Sequence, residues 1–167
     1  CWEQRLDGSP QSRKVPPFPD GVGAPGSRDA VSLADYRHLY KTYLSDPYLQ
    51  AARARWPFIC TWDDHEFADD CFQSFTTHNG QAVLEAQRKL SANQAWFEYI
   101  PAVLDELHQP AHNFREQKLE QDKASHNQTA VDSLRIYRKL AWGKYLDIVL
   151  TDSRSYRSPP CLPDGFA

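Results

Sequence analysis

Residues 57–70 read PFICTWDDHEFADD: an apolar run, then the carboxylates of Asp63, Asp64, Glu66, Asp69 and Asp70 and the imidazole of His65, interrupted only by Phe67 and Ala68. Like charges at this density repel. A folded chain must therefore either meet them with a cation or leave them in a solvent-facing loop. Phe58–Trp62 is too short for a core helix, is β-branched at Ile59 and Thr61, and follows Pro57. It predicts a buried strand that delivers the acids into a loop at its C-terminal end. In open α/β sheets that end is where ligands bind. Neighbouring side chains on a strand face opposite ways, so of Asp63 and Asp64 one is expected to ligate and the other to brace.

The remaining composition narrows the choice. With 167 residues, 41% of them hydrophobic and 13% aromatic, the chain has the size and apolar content of one cored domain, which excludes wholesale disorder. Nineteen basic residues against 22 acidic ones leave a net charge of -3, no electrostatic footprint for nucleic acid or an anionic membrane. No apolar run approaches the roughly 20 residues of a transmembrane helix, and the opening CWEQRLDGSPQSRK has no signal-peptide core. Cys1, Cys60, Cys71 and Cys161 are too scattered for a disulfide scaffold or a CxxC zinc site. A start at Cys1, no methionine and the Pro-rich end SPPCLPDGFA predict an internal piece of a longer protein.

Residues 7–30 are dense in Pro and Gly and predict a long loop. Leu33, Tyr36, Tyr40 and Leu44 recur at helical spacing behind an N-capping Ser32 with Asp35 in the first turn, predicting a helix over 32–45. Asp46-Pro47 starts a second, short helix that Pro57 stops. Val83, Ala86, Leu90, Phe97 and Ile100 predict a long helix over 81–100, with Pro101 beyond its end. Residues 111–133 are polar and read as an exposed excursion with one short helix at most. Arg135–Leu140 and Tyr145–Thr151 read as two strands joined by a turn at 142–144, the second ending on Asp152 with Arg154 and Arg157 beyond.

The plain reading of Asp63, Asp64, His65 and Glu66 is a solvated acidic loop. Against it, Trp62 and Phe67 bracket the charges, so the segment does not lie in water at both ends. The chemical reading is a metal site: carboxylates suit calcium, magnesium or manganese, and imidazole suits iron or zinc. One tetrapeptide supplies only part of the converging ligand set such a site needs. His78, His108, His112 and His126 sit in polar context without paired spacing and read as surface histidines. Beside Asp152, two arginines hold a phosphate or neutralise the acids; Arg157 reads as the structural ion-pair partner, and Arg154 stays open between the two roles.

TWDDHE after a Pro-Phe-Ile segment, the preceding YRHLYKTYLSDPYLQAARARWP and the following IYRKLAWGKYLDIVLTDSRSYR resemble, in order, the PhoD-type alkaline phosphatase family. The resemblance spares only 7–30 and 111–133. It implies an α/β fold, here a helix-dominated piece of the two-sheet metallophosphatase sandwich, with residues 1–167 internal to a single catalytic domain. It implies a secreted or periplasmic hydrolase that takes small phosphate esters, for phosphate acquisition, using metal ions: calcium and iron, with zinc or manganese as alternatives. In the wider superfamily a Gly-Asn-His-Glu/Asp block supplies an amide ligand and a histidine that protonates the leaving oxygen. Laid on Asp63-Asp64-His65-Glu66, it makes Asp64 the metal ligand and His65 the acid. Asp63, Glu66, Asp70, Asp152 and Arg154 become supporting or phosphate-contacting residues.

The match has departures. Cys1-Trp2-Glu3 resembles the tail of a Gly-Asp-x-x-Tyr ligand block with Trp2 in place of Tyr, and Asp69-Asp70 stands where many members carry Asn-Asn. Further Asp and His blocks of the family are absent from these 167 residues, so the chain alone is expected to be inactive and a weak metal binder. The implied chemistry is in-line attack on phosphorus by water that metal ions activate, with His65 assisting the leaving group. Two rivals stand beside it: a non-catalytic helical interaction module with an exposed acidic loop, and a helical HD-type hydrolase. Asp64-His65 has the reverse order for the latter.

Overall fold

Two N-terminal helices begin where the sequence supplies caps. In the computed structural model, which describes residues 17–23, 29–78, 81–102 and 117–159, α1 spans Leu33–Leu44 and opens on a reciprocal capping box between Ser32 and Asp35. The fully buried Asp35 carboxylate also accepts from the amides of Asp20 (2.8 Å) and Val31 (3.0 Å). One side chain thus ties the loop before the helix to its first turn. α2, Pro47–Arg55, is capped by Asp46, whose carboxylate accepts from the amides of Tyr48 and Leu49, with Pro47 in the first turn.

The core forms where α1 meets α3, Ala86–Tyr99. Tyr36, Leu39 and Tyr40 pack with Ala92, Ala95 and Trp96, and Trp62, Phe67, Cys71, Leu134 and Ile136 join the same cluster. Trp62 meets Trp96 edge-to-face at 5.3 Å between centroids, a favoured aromatic geometry. On the far side of α3, Asn93 donates to the carbonyl of Ala130 and the hydroxyl of Ser133, which docks α4, His126–Asp132.

Two antiparallel hairpins complete the described residues. β1, Phe75–His78, pairs with β2, Gln81–Leu84, and β3, Arg138–Trp142, pairs with β4, Leu146–Leu150. The second hairpin turns through 143–145, where Gly143 takes φ +65°, a backbone region open to glycine. The architecture is mixed α/β, with helices outweighing strands.

The expected helix over 81–100 is corrected at its start. Gln81–Leu84 is a strand, and Val83, counted above on the apolar face of a helix, is 42% exposed. The expected strand at Phe58–Trp62 is also corrected: Phe58 and Ile59 are exposed, and among the described residues no strand pairs with this segment. Side chains hold it instead. Arg138 donates to the carbonyl of Cys60 (2.7 Å) and the Thr61 hydroxyl donates to that of Thr151 (3.2 Å), so its end lies beside the C-terminal hairpin. Part of the predicted loop over 7–30, most of its start included, and residues 103–116 lie outside the described residues.

Asp35→Ala strips three backbone amides of a charged acceptor. It is expected to cost about 3 kcal/mol, a fall of roughly 6–12 °C in melting temperature by differential scanning calorimetry. Asp35→Asn, which keeps one acceptor oxygen, should lose less than half of that.

Candidate metal centre

The acids occupy a tight turn. The amides of Phe67 and Ala68 both donate to the Asp64 carbonyl at 2.8 Å, which closes the backbone around residues 64–68. Tyr36 of α1 donates to the Phe67 carbonyl at 2.7 Å and accepts from Arg88 Nε of α3 at 3.1 Å. Arg88 is paired in turn with Glu85. Burial pushes the Tyr36 hydroxyl up to about 12 despite the opposing pull of Arg88, so it remains a donor at neutral pH. Both main helices therefore hold the back of the turn.

Asp64 points inward and is 7% exposed, while Asp63 lies at the surface. Asp64 Oδ1 accepts from the His65 amide (2.8 Å) and Oδ2 from the Asp70 amide (3.0 Å), with Arg154 Nη2 at 3.5 Å. Burial raises the Asp64 carboxyl, but the Asp70 amide, Arg154 and His65 together outweigh it and hold the group below the usual carboxylate range. Asp70 presents its amide from a left-handed conformation, φ +49°, which Asn and Asp tolerate better than most residues.

Arg154 is the cation that meets the cluster. Its Nε donates to Asp63 Oδ1 at 2.7 Å, Nη1 reaches the Cys71 carbonyl at 3.5 Å, and Nη1 lies 4.0 Å from Asp70 Oδ1. Asp152 sets this up by accepting from the amides of Arg154 (3.1 Å) and Ser155 (2.8 Å), which turns the chain back just after β4. The ion-pair role expected of Arg157 is therefore corrected: Arg154 fills it, and Arg157 lies exposed, its carbonyl accepting from Gln73. Glu66 folds back onto the Asp63 amide at 2.8 Å.

His65 is half exposed, with Nε2 3.2 Å from Asp69 Oδ1 and 3.8 Å from Asp64 Oδ1. Ligand atoms of Asp64, His65 and Asp69 all lie within 4.8 Å of one another. Two carboxylates and an imidazole so placed fit a divalent or trivalent cation as part of a larger ligand set. Asp69 was not among the site residues read from the sequence; its spacing of four from His65 was the available signal. Lys89 of α3 was missed as well. It is 2% exposed, its ammonium 4.7 Å from the Trp62 ring centroid and 5.1 Å from that of Phe67. Burial draws it below the usual lysine range, opposed by Cys71, Asp152 and Glu66. Of the histidines set aside, His126 engages Lys123 and Gln121 locally, His108 and His112 lie outside the described residues, as do Cys1, Trp2 and Glu3, and the His78 side chain is not described.

A turn of acids and one histidine, fixed by helices and met by an arginine from a strand end, offers part of a ligand set for a cation. The profile of the PhoD-like phosphatase family matches residues 4–164, and the chain belongs to that family. It is 28% identical over 141 residues to alkaline phosphatase D of Bacillus subtilis (strain 168), an alignment covering 83% of this chain and 20% of that protein. The chain thus spans about one fifth of that relative's length. No solved structure matches it. Among the described residues no helix is long and apolar enough to cross a membrane.

Arg154→Met removes the cation that, among the described residues, pairs with both Asp63 and the buried Asp64. It is expected to cost about 2–4 kcal/mol in urea denaturation. Arg154→Lys should recover less than half, because an ammonium cannot fork to both carboxylates and the Cys71 carbonyl at once.

Proposed function

We propose that this chain is an internal part of a single metallophosphatase catalytic domain, and that the whole protein hydrolyses small phosphate esters in a metal-dependent way. The observation that carries this is the convergence of Asp64, His65 and Asp69 inside the segment matched by the family. The short share of the relative covered, and a β3–β4 hairpin that leaves Trp142, Tyr145 and Val149 exposed, support a larger fold around this piece, the two-sheet sandwich of such enzymes. A purely decorative acidic loop would be solvated, whereas Asp64 is buried and bonded on both oxygens. Export to the periplasm or medium, in the service of phosphate acquisition, belongs to the same proposal.

Asp64 is the metal ligand of this scheme and His65 the proton donor to the departing alkoxide, its ring oriented by Asp69. Asp63 and Arg154 brace the turn, while Glu66 and Asp152 hold backbone amides. When bound, metal ions supply Lewis acidity toward the phosphoryl oxygens; calcium and iron are the ions proposed, with zinc or manganese as alternatives. Proton transfer from His65 contributes roughly 10²–10⁴-fold. The 167 residues alone are proposed to be inactive, since they hold only part of the ligand set.

The test is hydrolysis of an aryl phosphomonoester and an aryl phosphodiester by the protein from its complete reading frame. Chelation is expected to abolish activity, and calcium with iron, or manganese or zinc, to restore it. No turnover of either substrate under any of these additions would overturn the proposal.

Role assignment within the turn is separable. Asp64→Ala should lower metal content and turnover together. His65→Ala should keep the metal by elemental analysis and lose turnover, less so on aryl than on alkyl phosphates, because a good leaving group needs less protonation. Loss of metal in His65→Ala would instead make the imidazole a ligand.

A further inference from the structure

The acidic turn has a second cation beneath it. Trp62 and Phe67 are the residues directly before and after Asp63–Glu66, and both rings lie against the ammonium of Lys89. Among the described residues this ammonium makes no ion pair and is instead enclosed by two aromatic faces. The carboxylates that act on it are Glu66 of the turn and Asp152 at the strand end, so both segments direct negative charge toward it.

A desolvated ammonium is attracted to a ring face more strongly than an exposed one, because water no longer competes for it. Each ring is itself anchored: Trp62 against Trp96 of α3, and Phe67 through its carbonyl to Tyr36 of α1. Lys89 thus bridges the two ends of a four-residue charged segment and fixes their separation. Arg154 cannot do this, since its contacts are to the acids and to Cys71 rather than to the flanking rings. Resting on the metal-site reading above, we propose that Lys89 is a positioning residue: by clamping Trp62 and Phe67 it sets the span of the Asp63–Glu66 turn and so the placement of Asp64 for metal, with His65 beside it.

The test compares Lys89→Met, which keeps length and removes charge, with Lys89→Arg, which keeps the cation and stacks on aromatic faces. In metal-free protein from the complete reading frame, amide hydrogen exchange at His65, Phe67, Ala68 and Asp70 reads the turn, and that at Tyr36–Tyr40 reads the fold. Lys89→Met is expected to speed exchange in the turn about tenfold and leave α1 unchanged, with Lys89→Arg within about threefold of wild type. Manganese titration followed by electron paramagnetic resonance should show about tenfold weaker binding in Lys89→Met and recovery in Lys89→Arg. Unchanged exchange in the turn, equal acceleration in α1, or equal damage from both variants would overturn the proposal. A wild-type protein that binds no manganese or any other of the named metals counts against the metal reading, while exchange still decides the hold of Lys89 on the turn. If Lys89→Met does not fold, Phe67→Leu removes one ring and keeps the ammonium, and the same amides should accelerate severalfold; no acceleration would overturn the proposal.

Discussion

Mutual repulsion among five carboxylates within eight residues is the constraint around which this chain is arranged. A single solvent-exposed loop would relieve it by hydration, but Asp64 is drawn into the interior, and a carboxylate leaving water needs replacement for every hydration bond it loses. The replacement is layered. Two backbone amides bond its oxygens and Arg154 approaches from the strand side. The helices support the turn from behind, since α3 supplies Lys89 and Arg88 while α1 supplies Tyr36.

Packing and electrostatics use the same residues here. Trp62 and Phe67 are core side chains that exclude water from one side of the turn and also offer ring faces to a cation. Tyr36 fills the interface between α1 and α3 and also ends in the hydrogen bond that fixes the Phe67 carbonyl. Rigid support of this kind is what a ligand-binding carboxylate requires, because loose first contacts forfeit affinity.

Local chemistry made much of this legible. Ser32, Asp46 and Pro47 marked two helix starts because capping depends on residues a few positions apart. The β3–β4 hairpin was readable around Gly143, but its first strand runs Arg138–Trp142 rather than the expected Arg135–Leu140, and Trp142 belongs to the strand rather than the turn. The β1–β2 hairpin was missed although Asn79-Gly80, the two-residue signal favoured between paired strands, stood between them; Val83 and Ala86 happened to continue the helical period of α3. Phe58–Trp62 has strand composition, but a strand is defined by a partner, and none lies among the described residues. Choosing Arg154 over Arg157 required knowing that Asp152 turns the chain within two residues. Lys89 carried no local signal at all, because a buried lysine is recognisable only once the rings that enclose it are in place. The departure from Asn-Asn at Asp69-Asp70 also has a physical reading: position 70 needs a residue that accepts positive φ, and Asp and Asn both do.

The pairing of Asp63 with Arg154 spans 91 positions, and this gives the site a history in time. The turn itself closes over a handful of residues, so its backbone bonds are available as soon as it is synthesised. At typical elongation rates of 5–20 residues per second, Arg154 follows about 5–18 s later. For most of that interval Lys89, only 26 positions after Asp63, is already part of the chain. The cation that holds the flanking rings is therefore synthesised well before the one that pairs with the acids.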